Sequence, residues 1–199
     1  IPGEEEASLS FTGATFSLPR NLAPYLVEDI GGGSTEFVFG TDLVEKARSV
    51  NIGCVRMTER HFRNDPPTQD EIANARSDIQ SAISEAAKTV PITSAKSLIA
   101  VAGTATTVAA AVLDLPTYDR YAIHLSRIPA EKVENISEML LGMNHNQRAA
   151  LGYMHPGRVD VIAAGSLVLH EIMKATGAKE FIASESDILD GMAYKLAAN

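Results

Sequence analysis

The first half of the chain contains three short apolar-rich runs separated by turn residues. YLVEDI, STEFVFG and LVEKARSVN follow one another between residues 25 and 51, divided by Gly-Gly-Gly at 31–33 and Gly-Thr-Asp at 40–42. Glycine and aspartate at both breaks permit positive φ and tight chain reversal. The pattern therefore predicts three adjacent antiparallel strands, a β-meander.

A helical pattern follows the meander. Thr68 and Glu71 form the Thr-x-x-Glu pattern of a capping box, which satisfies unpaired amides at a helix start. Apolar residues then recur every three or four positions from Ile72 to Val90, and Pro91 is expected to end the helix. We predict a long amphipathic helix that covers one face of the core.

The second half alternates between buried strands and apolar helices. The order β-β-β-α-β-α-(α)-α-β-α predicts a single α/β domain with a mixed sheet. The later elements are a strand SLIAVAG at 97–103, a helix TATTVAAAVL opening at Gly103 and Thr104, a helix with Pro129 in its first turn, a helix from about Arg158 to Thr176 closed by Gly177, a strand EFIAS and a last helix DILDGMAYKLAA.

Composition narrows the function classes. With 199 residues, 45% of them hydrophobic and 21% charged, the chain is expected to fold as one globular domain. A net charge of −8 argues against binding to nucleic acid or to an anionic membrane. The uncharged stretch at 97–113 is shorter than a bilayer span, and a single cysteine, Cys54, is typical of the reducing cytoplasm. A start at Ile1 without Met indicates a piece of a longer protein.

The segment DIGGGSTE, residues 29–36, gives the sharpest chemical signal. Gly31, Gly32 and Gly33 let the backbone approach a ligand closely and direct consecutive amide groups at it, which can cradle a phosphate without a lysine. An ordinary glycine-rich hairpin is the alternative interpretation.

Side chains around these glycines favour the ligand-binding interpretation. Ser34 and Thr35 add hydroxyl donors to the turn. Asp29 and Glu36 place one carboxylate before the turn and one after it, a pair suited to Mg²⁺ or to orienting water.

Two further segments are weaker candidates. Gly103 and Thr104 lie where a predicted strand passes into a helix, and a helix N-terminus can bind an anion. Close packing of small residues explains the same pattern, and both can hold. Glu6 lies in Gly-Glu-Glu-Glu-Ala at the start of a predicted helix, where acids commonly complement the helix dipole.

Six blocks, in this order and spacing, resemble the exopolyphosphatase / guanosine pentaphosphate phosphatase family. They are IPGEEEASLSF, DIGGGSTEFVFG, SVNIGCVRMTERHF, AVAGTATTVAA, GRVDVIAAGSLVL and SDILDGMAY, and they cover nearly the whole chain. The resemblance implies the actin-like, ribonuclease-H-like fold of two related domains around a cleft, with Mg²⁺ as cofactor. Residues 1–199 would form the second, C-terminal domain.

The resemblance also implies site residues. Glu6 matches the catalytic base that activates the attacking water, and Asp29 and Glu36 match acids tied to metal and water. Residues 31–34 match the phosphate loop, and residues 103–104 match a second ligand-facing turn. The family's first domain adds an Asp-x-Gly phosphate loop and a substrate-binding arginine, and neither has a counterpart here.

One basic neighbourhood stands out in an acidic chain. Arg56, Arg60 and Arg63 share a face if CVRMTERHF is helical, and Lys46 and Arg48 lie nearby in the sequence. A solvated face is the favoured interpretation, with Arg56 the candidate polyanion contact. The five histidines show no metal-ligand spacing, and we assign them no role.

The function expected from the resemblance is hydrolysis of terminal phosphoanhydride bonds in inorganic polyphosphate or guanosine pentaphosphate. Glu6 would deprotonate water for in-line attack, with Mg²⁺ and loop amides stabilising the phosphoryl oxygens. The alternatives are an ATPase or sugar kinase of the actin-like fold, or a non-catalytic polyphosphate or nucleotide binding module. Without the first domain the chain should hardly turn over. The choice of substrate and the oligomeric state stay open, although the resemblance implies that a homodimer can form.

Overall fold

A computed structural model describes residues 3–186 and 190–193, with side chains from residue 7 onward. The strands are β1 (Tyr25–Ile30), β2 (Thr35–Gly40), β3 (Val44–Val50), β4 (Ser97–Val101), β5 (Arg127–Pro129) and β6 (Glu180–Ala183). The α-helices are α1 (Gly3–Thr15), α2 (Cys54–His61), α3 (Gln69–Ala87), α4 (Ala102–Val112), α5 (Arg120–Ile123), α6 (Ala130–Gly142), α7 (His145–Ala149) and α8 (Ile162–Thr176). Short 3₁₀ turns occur at Arg20–Leu22 and Pro156–Arg158.

The strands form one mixed sheet in the order β3-β2-β1-β4-β6-β5. β1, β2 and β3 are antiparallel, which confirms the predicted meander. β1, β4 and β6 are parallel to one another. β3 and β5 are the two outer strands, and β5 pairs antiparallel with β6. Because β1 and β4 are parallel neighbours, their carboxyl ends lie side by side, and so do the turn after β1 and the start of α4. This side of the sheet is called the sheet edge below.

Helices cover both faces of the sheet. α1 packs on one face through Ala7, Phe11 and Ala14, against strand residues such as Tyr25 and Val27. α2, α3, α4, α6 and α8 pack on the other face and form the larger core. Successive residues of β1 alternate between the two cores, as the period of two along a strand requires.

The capping box of α3 is confirmed. The Thr68 hydroxyl accepts from the amide of Glu71 at 3.3 Å, and the Glu71 carboxylate accepts from the amide of Thr68 at 2.7 Å. The predicted end at Pro91 is wrong, since the helix ends at Ala87. The amide of Val90 donates to the carbonyl of Ala86 in a closing turn, and a residue before proline disfavours helical geometry.

The residues of the two meander turns permit positive φ, but they do not adopt it. Among the described glycines only Gly177, at φ +72°, lies in the left-handed region, where it closes α8 as predicted. The requirement for glycine at these turns is spatial instead. A Cβ on Gly40 would lie 2.1 Å from the carbonyl oxygen of Leu43.

Several elements differ from the sequence pattern. The short elements α5, α7 and β5 were not predicted, and Pro129 is the N-cap of α6 rather than a residue of its first turn. α8 begins at Ile162 instead of Arg158. The predicted last helix lies mostly outside the described residues, of which 190–193 are helical. Within the described ranges, no helix has the length and apolar character needed to cross a membrane.

Candidate active site

Two carboxylates stand directly opposite each other on neighbouring strands. Asp29 of β1 pairs with Glu36 of β2 in the antiparallel ladder. Such partners place their side chains on the same face, with Cβ atoms about 4.5–5.5 Å apart. Like charges at this separation repel each other, so a cation between them would stabilise the pair.

Two serine hydroxyls orient the Glu36 carboxylate. Ser34 Oγ and Ser49 Oγ both donate to Glu36 Oε1, each at 2.6 Å. In the described part of the chain, no hydrogen bond reaches Glu36 Oε2. One oxygen is therefore fixed by the protein, and the other remains available to a ligand.

The glycine turn presents amide groups without partners. The amide of Gly31 donates to the carbonyl of Ser34 at 3.0 Å and closes the turn. The amides of Gly32, Gly33 and Ser34 donate to no group within residues 3–186 and 190–193. Consecutive free amides of this kind form an anion-binding concavity.

The start of α2 anchors the turn from behind. The carbonyls of Gly31 and Gly32 accept from the amides of Cys54, at 2.9 Å, and Arg56, at 3.0 Å. A Cβ on Gly53 would lie only 2.4 Å from the carbonyl carbon and oxygen of Gly32. Glycine at position 53 therefore permits the contact that holds these carbonyls toward α2.

Arg56 lies over the glycine turn. A Cβ on Gly33 would be 3.3 Å from Arg56 Nη2, and the arginine side chain is exposed. In the described ranges Arg56 has no carboxylate partner. Two nearby arginines do form ion pairs, Arg60 with Asp78 at 2.6 Å and Arg48 with Glu85 at 3.8 Å.

The hydroxyl groups predicted to face a ligand are engaged elsewhere. Thr35 is fully buried, and its hydroxyl donates to the carbonyl of Ile52 at 3.1 Å. It points away from Glu36 because adjacent strand residues face opposite sides. Ser34 acts on Glu36 instead, so direct binding of phosphate by these two hydroxyls is not supported by the geometry.

The second predicted turn lies beside the first. Gly103 is in the first turn of α4, directly after β4, and the preceding Ala102 has an unusual positive φ of +64°. A Cβ on Gly103 would come within 1.9 Å of Arg158 Nη2, so only glycine leaves room for this guanidinium. Arg158 was not among the predicted site residues, although it lies in the block GRVDVIAAGSLVL.

Thr104 faces the protein interior rather than this edge. Its side chain is 1% exposed, and its hydroxyl has no hydrogen-bond partner among the described residues. A Cβ on Gly165 of α8 would lie 2.9 Å from Thr104 Oγ1. Any contact from Thr104 to a ligand must therefore come from its backbone.

A cleft of about 740 Å³ adjoins this second turn. Gly103, Thr106, Tyr118 and Arg158 contribute to its lining. Burial, together with the hydrogen bond to Glu185, raises the pKa of Tyr118 to about 12, so its phenol stays protonated at neutral pH.

Glu6 lies in the first turn of α1, and its side chain is outside the described part of the structure. Phe11 contacts Tyr25 at the beginning of β1, with ring centroids 6.3 Å apart. The chain after α1 leads into β1 through the 3₁₀ turn at Arg20–Leu22. The role of Glu6 as a base stays a prediction.

Glu28 is a buried acid that the sequence analysis missed. It is 0% exposed, and neither carboxylate oxygen has a partner in the described structure. Burial raises its pKa well above the usual range, and the neighbouring charge of Asp29 adds to the effect. Its side chain faces the larger core, opposite to Asp29, so it does not belong to the carboxylate pair.

The carboxylates of Asp29 and Glu36 fit Mg²⁺ that keeps part of its water shell better than an ion bound entirely by protein groups. Within the described residues, no group of three or more His, Cys, Asp or Glu side chains could hold a metal. Mg²⁺ keeps several waters and commonly binds through one or two carboxylates plus phosphate oxygens of the substrate. Asp29 and Glu36 Oε2, which accepts no hydrogen bond from the described residues, would supply such a pair.

Comparison with known proteins gives one consistent result. The model of the Ppx/GppA phosphatase family matches residues 1–199. Exopolyphosphatase 2 of Mycobacterium tuberculosis is 45% identical over 99% of this chain, which spans 63% of that protein. A bifunctional 3-dehydroquinate synthase/phosphatase of Fusobacterium nucleatum is 35% identical over 96% of this chain, and the match covers 29% of that protein.

Solved structures agree. An exopolyphosphatase-like protein superposes with a TM-score of 0.93 at 40% identity, over 100% of this chain and 67% of that one. The Aquifex aeolicus Ppx/GppA phosphatase gives a TM-score of 0.90 at 25% identity, and the match covers 98% of this chain and 64% of that one. These matches confirm the expected α/β fold of the actin-like superfamily, with a mixed sheet and covering helices.

Proposed function

Because this chain belongs to the Ppx/GppA phosphatase family, we propose that its parent protein hydrolyses terminal phosphoanhydride bonds of inorganic polyphosphate. One observation carries the proposal. The amides of Gly32, Gly33 and Ser34, which have no partner among the described residues, lie in the turn that joins the opposed carboxylates Asp29 and Glu36. Anion-binding and cation-binding groups therefore meet at one sheet edge, as phosphoryl transfer requires.

The chain's own groups would hold the terminal phosphate. The free amides of the glycine turn donate to its oxygens, and the Arg56 guanidinium lies close enough to add positive charge. Arg158, over Gly103, extends the same edge toward the next phosphate along a polymer. Asp29 and Glu36 would hold Mg²⁺, which supplies neutralisation of the charge on the phosphoryl oxygens.

Glu6 is the proposed general base. Its position at the start of α1, on the face of the sheet that carries Asp29 and Glu36, suits a carboxylate that takes a proton from water. The deprotonated oxygen attacks the terminal phosphorus in line, the phosphoanhydride bond breaks, and orthophosphate leaves with the polymer shortened by one unit. A positioned base of this kind contributes roughly 10² to 10⁴ in rate.

The rest of the parent protein would complete the cleft. The chain spans less than two thirds of the Mycobacterium tuberculosis relative, and we propose that a first domain forms the opposing wall. Fixing the reacting atoms supplies roughly 7 to 11 kcal/mol of barrier lowering, and one wall cannot hold a flexible polyanion this way. The isolated domain should therefore turn over slowly. The single cysteine, Cys54, is buried and supports a cytoplasmic setting.

Guanosine pentaphosphate is the second candidate substrate. A guanosine-5'-triphosphate,3'-diphosphate pyrophosphatase of Pseudoalteromonas atlantica is 41% identical over 76 residues, which is 38% of this chain. Both candidates end in a phosphoanhydride, so the same groups would act on either one.

The test is phosphate release from both substrates by the full-length protein, compared with Glu6→Gln and Glu5→Gln. Gln keeps the shape of Glu but accepts no proton from water. We expect Glu6→Gln to lose at least about 10² in rate and Glu5→Gln to remain active. Equal activity in the wild type and Glu6→Gln would show that Glu6 is not the general base. A wild-type protein that releases no phosphate from either substrate would reject the function.

A further inference from the structure

Ser49 lies outside the DIGGGSTE segment, yet its hydroxyl reaches that segment's second acid. It is the sixth residue of β3, the edge strand, and it stands opposite Glu36 in the β2–β3 ladder. Ser49 Oγ donates to Glu36 Oε1 at 2.6 Å. The contact therefore joins the outermost strand of the sheet to the carboxylate pair.

The two hydroxyls that donate to Glu36 lie in different structural elements. Ser34 belongs to the glycine turn, whereas Ser49 belongs to a strand paired along its length with β2. Both donate to the same oxygen, and Oε2 takes no hydrogen bond within the described residues. Partners that orient a metal-binding carboxylate in this way commonly raise metal affinity.

We propose that Ser49 is a positioning residue for the divalent-cation site, whose hydroxyl fixes the Glu36 carboxylate so that Oε2 faces the cation. The proposal rests on the proposed function, because it takes Glu36 as a ligand of that cation. Ser49 itself touches neither cation nor substrate. It limits the orientations of Glu36 before the cation arrives, which reduces the entropy lost on binding.

A plain surface role makes a different prediction. β3 is largely exposed, and an edge strand commonly carries polar side chains to remain soluble. If Ser49 served only that purpose, replacing its hydroxyl by a methyl group of the same shape would leave cation binding unchanged.

The matched variants are Ser49→Thr and Ser49→Val in the full-length protein. Both side chains are β-branched and suit a strand, and they differ mainly in the hydroxyl. Ala47→Val is the control, since Ala47 lies on the same face two residues away and stands opposite Val38 rather than a residue of the site. The readouts are Mn²⁺ binding followed by electron paramagnetic resonance, the Mg²⁺ concentration that gives half-maximal polyphosphate hydrolysis, and the melting temperature.

We expect Ser49→Val to weaken Mn²⁺ binding and to raise the Mg²⁺ requirement by about tenfold, the lower end of the usual loss, because Ser34 still holds the same oxygen. Ser49→Thr and Ala47→Val should bind Mn²⁺ as tightly as the wild type. All three variants should have the melting temperature of the wild type.

Three results would overturn the proposal. Ser49→Val could bind Mn²⁺ as tightly as the wild type, or Ser49→Thr could be as impaired as Ser49→Val. If the wild-type protein bound no Mn²⁺, both the cation site and the positioning role of Ser49 would be rejected. A wild type that binds Mn²⁺ and depends on Ser49, yet hydrolyses no polyphosphate, would reject only the proposed function.

Discussion

Two glutamates on neighbouring strands show how burial decides what a carboxyl group can do. Glu36 is partly exposed and accepts hydrogen bonds from Ser34 and Ser49, which fix the orientation of its carboxylate. Glu28 is fully buried, with no partner for either oxygen in the described structure. At the scale of single residues, Glu36 is therefore the proposed cation ligand of the two, and we expect the buried Glu28 to lower the stability of the core.

Glu28→Leu should therefore stabilise the protein. The folded-state pKa of Glu28 is raised above its unfolded value, chiefly by burial, so the folded state binds its proton more tightly. The cost to stability is absent below the unfolded pKa, about 4.5, and grows as pH rises above it. Removing the acid should add about 1 to 3 kcal/mol at neutral pH and less in acid, since an unsatisfied buried polar group costs that much.

The measurement is the unfolding midpoint of wild type and Glu28→Leu at neutral pH and near pH 4.5, in the presence of a chelator. Glu138→Leu on the exposed side of α6 is the control and should give no pH-dependent gain. A Glu28→Leu protein less stable than the wild type at neutral pH would show that the carboxyl group has a stabilising partner.

At the scale of elements, α2 acts as the support of the glycine turn. Its first amides bind the carbonyls of Gly31 and Gly32, and the missing side chain at Gly53 allows that approach. Gly53→Ala would place a Cβ 2.4 Å from the backbone of Gly32, so the turn or the helix must move. We expect a loss of about 1 to 3 kcal/mol in stability, typical of overpacking, and a strong loss of phosphate release.

Gly142→Ala is the matched control. Gly142 is the last residue of α6, and no atom lies within 4 Å of its added Cβ. Activity should be unchanged, and stability should rise by about 0.4 to 1 kcal/mol because alanine has less freedom when unfolded. Thermal unfolding and phosphate release measure both variants. If Gly53→Ala matched Gly142→Ala in activity, α2 would not be the support of the turn.

The sequence predicted the local elements better than the contacts between them. The meander and the start of α3 follow from glycine turns and a capping box, which are local signals. The directions of the Thr35 and Thr104 side chains could not be predicted from the sequence, because their neighbours Ile52 and Gly165 lie in other parts of the chain. Ser49 and Arg158 escaped notice for the same reason, since each meets the site only through the folded sheet and helices.

At the scale of the whole molecule, one sheet edge collects groups from distant parts of the chain. The parallel pairing of β1 and β4 sets the glycine turn beside the first turn of α4, and Arg56 and Arg158 lie over these two turns. The net charge of −8 is unfavourable for a polyanion, so binding of the proposed substrate would depend on this local arrangement. In the proposed function, a divalent cation between the opposed carboxylates would link the protein to the phosphate.

The most direct test of this account is Mg²⁺-dependent phosphate release from polyphosphate by full-length Asp29→Asn. Asparagine keeps the shape but removes the charge that opposes Glu36, so cation binding should weaken and the rate should fall by at least about tenfold at limiting Mg²⁺. Asp42→Asn, an exposed aspartate beside Arg20 at the β2–β3 turn, should behave like the wild type. An Asp29→Asn protein with wild-type activity and an unchanged Mg²⁺ requirement would contradict the carboxylate pair as the cation site.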